Sequence, residues 1–174
     1  MKRIITNILE YVNTHNLNDN FWKWFSGSKI KKNGNPLVLY HGTKTKFDTF
    51  KLSKSKGNQG EDDQIEGIYL TDDKIPASFF SLDDSKDFII EVFASIKNPY
   101  ITKSHKTLKK ELNIKYLSQV YNHLIKLGYD GIIIENGFYA YGGPYKLYLA
   151  FYPNQVKSVN NNGEWNIKND NIYR

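Results

Sequence analysis

Leu37-Val38-Leu39-Tyr40-His41-Gly42-Thr43 follows Pro36 and the pair Asn33-Gly34. Asn-Gly is a strong turn signal, and an apolar run directly after it predicts a buried strand. That strand hands His41 to its edge, with a residue that has no side chain immediately behind it. An imidazole next to bare backbone offers a ring for a sugar hydroxyl and a close approach for a planar amide, which together suit a nucleotide. Further along, Gly67-Ile68-Tyr69-Leu70-Thr71-Asp72 forms a second short string, a strand tyrosine framed by glycine and Thr-Asp.

Around these strings the chain reads as strands with few helices. Ile4, Ile5, Ile8, Leu9 and Val12 recur at helical spacing and predict an amphipathic helix over residues 2–16. Residues 19–26, capped by Asp19 or Asn20, predict a short aromatic helix with Trp22 and Trp24 as core anchors. Residues 51–66 are rich in Lys, Gly and Asp, lack an apolar period and read as a mobile loop. Asp72 or Asp73 is expected to cap a helix reaching Phe80, with Pro76 in its first turn. Residues 87–96 predict a strand, residues 106–127 a broken helical stretch ended by Gly128, and residues 131–134 and 148–152 two more strands. Between those two lies a glycine- and tyrosine-rich loop at 136–145. Without alternating βαβ units the fold class is α+β. No second domain or repeat is visible, so residues 1–30 are expected to be a helical segment packed on a nucleotide-binding domain at 31–174.

Forty per cent hydrophobic and 15% aromatic residues in a chain of 174 argue for a packed core. The absence of cysteine excludes disulfides, thiolate catalysis and sulfur-ligated zinc, and is compatible with a reducing cytoplasm. His15, His105 and His123 show no carboxylate spacing for a metal and are expected at the surface. The apolar stretch after Met1-Lys2-Arg3 breaks at Thr6-Asn7, too early for a signal peptide, and no run approaches membrane-spanning length. The net charge of +6 is segregated. Residues 1–57 carry eleven Lys/Arg against three Asp/Glu, residues 58–92 two against ten, and residues 93–174 eleven against five. Arginine occurs only at Arg3 and Arg174, so phosphate contacts from the body of the chain fall to lysine or backbone amides.

The two strings resemble the histidine and tyrosine motifs of the ADP-ribosyltransferase superfamily, in its His-Tyr-Glu branch. They are most similar to the ADP-ribosyltransferase domain of polyvalent proteins of phages and conjugative elements. Further matching residues are Phe21-Trp22-Lys23-Trp24-Phe25, Phe47-Asp48-Thr49-Phe50, Ile96-Lys97-Asn98-Pro99, Gly128-Tyr129-Asp130-Gly131, Pro153-Asn154-Gln155-Val156-Lys157-Ser158 and the ending from Asn162 to Arg174. The resemblance runs over about residues 21–174. It implies a split antiparallel β-sandwich around an NAD cleft, and an enzyme that acts in the cytoplasm of a bacterial host cell.

Cleaving NAD between nicotinamide and ribose builds positive charge on the sugar, so a site needs a grip on each part and negative charge nearby. By the resemblance, His41 would bond the adenosine ribose, Gly42 would hold the nicotinamide amide and Tyr69 would pack on its ring. Thr43, Gly67 and Thr71 would complete the NAD-binding strings. Phe80 would stand where the polymerase branch has a second stacking tyrosine. The family's catalytic glutamate stands eight residues before the glutamine of the Pro-x-Gln ending, and counting back from Gln155 reaches Leu147, which carries no charge. Either the target supplies the acid, or Glu135 or, failing it, Glu164 replaces it, or the domain binds NAD without turnover. The residues expected to be catalytic are therefore His41, Tyr69 and Glu135. The expected activity is transfer of one ADP-ribose to a host protein or nucleic acid, with an NAD glycohydrolase or a non-catalytic NAD/ADP-ribose-binding module as alternatives. The strand-end amide of Gln155 reads as structural.

Overall fold

The computed structural model describes residues 17–52, 64–81, 89–138 and 143–174. The expected helix at 2–16, the centre of the loop at 51–66 and the tip of the loop at 136–145 lie outside them. Among the described residues nine strands form two sheets. β1 (Lys31–Lys32) and β2 (Asn35–Pro36) make a hairpin whose turn residues Asn33 and Gly34 both have positive φ, at 54° and 85°. The main sheet contains β3 (Leu39–Gly42), β4 (Ile68–Thr71), β5 (Ile89–Ala94), β6 (Pro99–Thr102), β7 (Gly131–Phe138), β8 (Tyr145–Ala150) and β9 (Val156–Ser158), in the order β6-β7-β8-β4-β3-β5-β9. Every neighbour pair is antiparallel except β6 and β7. The architecture is α+β, as the sequence implies.

Strand alternation sorts the apolar residues onto two faces. One face carries Leu39, Ile68, Leu70, Val92, Ala94, Ile133, Tyr148 and Ala150, covered by Ile30, Phe50 and Ile172. The other carries Ile132, Ile134, Leu147 and Leu149, covered by Leu108 of α3 (His105–Glu111) and by Val120 and Leu124 of α4 (Val120–Lys126). α1 (Asp19–Phe25) is capped by Asn18, whose side chain accepts from the Phe21 N–H, and packs Phe21, Trp24 and Phe25 on Phe93 and Trp165. Trp22 departs from expectation: it is 41% exposed, because helical spacing turns it away from the face shared by Phe21, Trp24 and Phe25. The short α2 (Lys74–Ser78) is capped by Asp73 and lies beside β3 and β4.

Two polar residues of the Pro-Asn-Gln-Val-Lys-Ser string close the far end of the sheet. Gln155 accepts from the Phe151 and Tyr152 N–H groups and donates to the carbonyls of Ser95 and Asp130. Lys157 is fully buried and its ammonium donates to the carbonyls of Asn169 (2.6 Å) and Asn171 (2.8 Å), tying the C-terminal segment to β9. Both residues satisfy buried backbone acceptors or donors that would otherwise be orphaned.

Candidate functional site

One register row runs straight across the sheet: Thr102 on β6 pairs with Ile134 on β7, Ile134 with Leu147 on β8, Leu147 with Thr71 on β4, Thr71 with Tyr40 on β3, and Tyr40 with Glu91 on β5. Paired residues share a face, so this row faces the helices. α2 covers the row at its β3 end and α3–α4 cover it at the β6–β7 end. Between the two walls a cleft of about 370 Å³ opens over β3, β4 and β8. Tyr40, Tyr69, Thr71 and Leu147 line its floor, Gly42, Ala77 and Phe80 one wall, and His105, Leu117 and Gly137 the other.

Gly42 is required where it stands. A Cβ there would lie 1.8 Å from the carbonyl oxygen of Ala77, so any side chain would force α2 off β3. The pairing of β3 with β4 ends at Tyr40 and Thr71, although β3 continues to Gly42 and β4 begins at Ile68. His41 spans the resulting fissure. Its Nδ1 lies 2.9 Å from the Tyr69 carbonyl oxygen, which only accepts, so Nδ1 carries the hydrogen and Nε2 keeps its lone pair in the neutral ring. Burial lowers the pKa of His41 below its usual value, against a smaller upward pull from the hydrogen bond to Tyr69. Edge-on contacts with Phe47 and Phe50 fix the ring plane. A second hollow of about 340 Å³, lined by Phe47, Phe50, Lys51, Gly67 and Ile68, shares His41 and Tyr69 with the cleft. The imidazole thus stands between two cavities.

Tyr69 and Thr71 have their hydroxyls engaged elsewhere. Tyr69 donates to the Ile65 carbonyl at 2.7 Å and Thr71 to the Asp73 carbonyl at 2.7 Å. What they offer the cleft is therefore an aromatic face and a methyl group. Phe80 contributes another ring at the mouth, 54% exposed.

Not every expected residue reaches this cleft. Thr43 lines a separate hollow with Lys46 and Ile89, and Gly67 belongs to the hollow beyond His41. Glu135 is exposed, outside the lining, with its carboxylate 3.2 Å from the Lys146 ammonium. Alternation explains why: Ile134 shares the face of Leu147, so the next residue turns away. β7 also shifts register between Ile134 and Phe138, spending extra residues beside Leu147. Glu164 pairs with Arg174 and lines a different depression, beside Lys23 and Trp165. Leu147 is on the cleft floor, only 6% exposed. Among the described residues the lining contains no carboxylate.

A family model described as ADP-ribosyltransferase in polyvalent proteins matches residues 31–166. The chain belongs to that family. No curated protein matches it. Membership suggests NAD-dependent ADP-ribosyl transfer as the activity class, and the seven-stranded α+β sheet agrees with the family. Among the described residues no helix is long and apolar enough to cross a membrane, and no cluster of His, Cys, Asp and Glu could hold a metal ion.

In this ADP-ribosyltransferase domain the sequence reading missed most of the second wall. His105 was expected at the surface, but as the first residue of α3 it lines the cleft. Burial, with a smaller push from the Lys109 charge, lowers its pKa. Ser104 before it is an N-cap whose side chain accepts from the Thr107 N–H, and that Ser-His pair at a helix start was the available signal. Gly137 had no signal outside the bulge. A Cβ there would lie 2.3 Å from the Cβ of Leu147.

Proposed function

We propose that the protein is a mono-ADP-ribosyltransferase that cleaves NAD at the nicotinamide–ribose bond and passes one ADP-ribose to a macromolecule of a bacterial host. The observation that carries this reading is the meeting of Gly42, Tyr69, Thr71, Phe80 and Leu147 around one cleft, with His41 in the fissure beside it. Nicotinamide would lie between the rings of Tyr69 and Phe80, its amide on the backbone of Gly42. The Nε2 lone pair of His41 would accept a ribose hydroxyl, and the adenosine end would extend into the hollow with Phe47 and Phe50. Both cavities fall within the size range of small-ligand sites.

Leu147 decides between one transfer and many. Extending a chain requires a group that activates the hydroxyl of the previous ADP-ribose, and leucine cannot. A single transfer needs negative charge only from the acceptor or its surroundings. General-base and electrostatic contributions of the missing kind are each worth roughly 3 to 5 kcal/mol of barrier, so turnover without an acceptor would be slow. The lack of a carboxylate in the lining also favours a second reading, a module that binds NAD or ADP-ribose without chemistry. As a domain of mobile-element polyvalent proteins, it would act as an effector in the host cytoplasm.

Pure protein incubated with NAD labelled in its adenosine half, with and without host lysate, tests the proposal. Label on a lysate macromolecule, released by phosphodiesterase as AMP with no phosphoribosyl-AMP, supports it. Calorimetric NAD binding without nicotinamide release would replace it with the binding module, and nicotinamide release without transfer would replace it with a glycohydrolase.

A further inference from the structure

The wall of the cleft that carries His105 is strongly basic. From residue 93 to residue 129 the chain has seven lysines, Lys97, Lys103, Lys106, Lys109, Lys110, Lys115 and Lys126, and a single acid, Glu111. Glu111 is exposed, and its carboxylate accepts from the hydroxyls of Tyr100 (3.1 Å) and Thr102 (2.9 Å). Among the described residues none of the seven lysines forms an ion pair. Five of them, Lys103 to Lys115, flank the lining residues His105 and Leu117 along the chain, whereas Lys97 stands at the other end of β6, near Gly27. Lys103 lies just before α3, and its carbonyl accepts from the Asn136 N–H beside Gly137. Lys106, Lys109 and Lys110 follow His105 on α3, and Lys115 leads to Leu117. Tyr116, 43% exposed, stands among them with the Lys115 ammonium over its ring. Unpaired lysines interleaved with an exposed ring match the chemistry of a phosphodiester chain with bases that stack.

We propose, building on the transferase reading, that the acceptor of the ADP-ribose is a nucleic acid whose phosphates lie along the lysines of this wall and whose nucleophile enters the cleft beside His105. An acidic peptide would satisfy the charge but would gain nothing from Tyr116, and the five lysines from Lys103 to Lys115, spread over α3 and the segments flanking it, suit an extended polyanion. In the reaction the bond from ribose C1′ to the nicotinamide nitrogen breaks, its electron pair leaving with neutral nicotinamide. A lone pair of the acceptor forms the new bond to C1′. The acceptor's proton passes to the unprotonated ring nitrogen of His105 and on to water. Among the described residues the His105 ring has no hydrogen-bond partner, so that nitrogen is available. Its lowered pKa keeps it neutral at pH 7, ready to take a proton.

The test uses the full chain, labelled NAD, fluorescent single-stranded DNA and RNA 20-mers, a duplex of the same sequence, and nuclease-treated lysate. Label is expected on an oligonucleotide, with binding that weakens steeply as salt rises. The variant carrying Lys103→Glu, Lys106→Glu and Lys110→Glu changes only exposed side chains and should keep its NAD affinity. It should lose at least about 10-fold in transfer, and its salt slope should fall by roughly 3. His105→Gln should lower transfer by about 100-fold at unchanged oligonucleotide affinity. Label passing to protein in the nuclease-treated lysate but not to oligonucleotide would overturn the inference and leave the transferase reading standing. So would wild-type transfer rates in the triple-lysine variant, or no oligonucleotide binding by the wild type. Oligonucleotide binding with no cleavage of NAD would instead sink the transferase reading, and the acceptor assignment with it.

Discussion

On the β3–α2 side of the cleft the lining comes mainly from two unbroken strings, Tyr40-His41-Gly42 and Tyr69 to Thr71, locked by one hydrogen bond from His41 to Tyr69 and by a glycine pressed against the Ala77 carbonyl. On the α3 side, His105, Leu117, Gly137 and Leu147 come from four separate elements, held together by packing and by the register shift in β7. Charge divides the same way among the described residues: residues 64–81 and 89–92 carry Glu66, Asp72, Asp73 and Glu91 against Lys74, while residues 93–129 carry seven lysines against one acid. A nucleotide must be gripped at fixed distances, and short rigid strings do that. A macromolecular acceptor needs a broad field and an entry path, which scattered residues supply.

Small residues placed against backbone give the sharpest way to set the walls against each other. Gly42→Ala puts a methyl group 1.8 Å from the Ala77 oxygen, so α2 must move. Stability should drop by about 1–3 kcal/mol in a denaturant titration, and NAD binding should vanish in calorimetry. Gly137→Ala meets the Leu147 side chain on the opposite wall and should cost a similar amount of stability. It should spare NAD affinity and depress transfer. If both variants lose NAD equally, the division of labour between the walls is wrong.

His41→Ala should come next. Removing the imidazole orphans the Tyr69 carbonyl at the fissure as well as the ribose contact, a loss of about 3 kcal/mol or roughly 100-fold in NAD affinity. The pH dependence has a definite sign. Folding lowers the His41 pKa below its ordinary 6.5, so between those two values the unfolded chain binds more protons than the folded one. Its stabilising contribution is complete above pH 6.5 and is lost as pH falls through the folded value. Protonation also removes the Nε2 acceptor. NAD affinity should therefore stay flat from about pH 8 to about pH 7 and decline only in the more acid range, a decline that His41→Gln abolishes.

Leu147→Glu addresses the wall with no acid. The position sits on the floor opposite Thr71, so a carboxylate there would face the reacting sugar. Hydrolysis of NAD or self-modification should rise on the order of 10-fold or more. Stability should fall by about 1–3 kcal/mol because the new carboxylate sits at a buried site. An unchanged rate with intact NAD binding would show that the sugar does not lie over β8.

What the sequence made legible follows the same divide. Asn33-Gly34, the Asp73 cap and the break between α3 and α4 each depend on local backbone preference, and each formed where expected, while the strand read at Leu37–Tyr40 runs two residues later, Leu39–Gly42, and contains His41. The lining by His41, Gly42 and Tyr69 was legible because contiguous strings carry it. His105 and Gly137 were not, because their position depends on a parallel pairing of β6 with β7 and on a bulge, neither of which leaves a period in the sequence. Gln155 was legible as structural because its string follows a strand that proline must end, and its amide does close that end.

Glu135→Gln tests the smallest effect and the most direct rival. Only Asn136 separates Glu135 from Gly137 in the lining, so a modest slip of the bulge could bring its carboxylate over Leu147. The pairing argues against that slip. Asn136 is bonded through its N–H to the Lys103 carbonyl, Phe138 pairs with Tyr145 beyond it, and Ile134 is fully buried before it, so both flanks of Glu135 are fixed. Its carboxylate meets Lys146 in solvent, where an ion pair contributes about 0–1 kcal/mol. Glu135→Gln should thus shift stability by less than about 1 kcal/mol and leave transfer within about twofold of wild type. A loss of 100-fold at unchanged NAD affinity would move the missing acid to Glu135, and would mean that β7 rearranges when the acceptor enters.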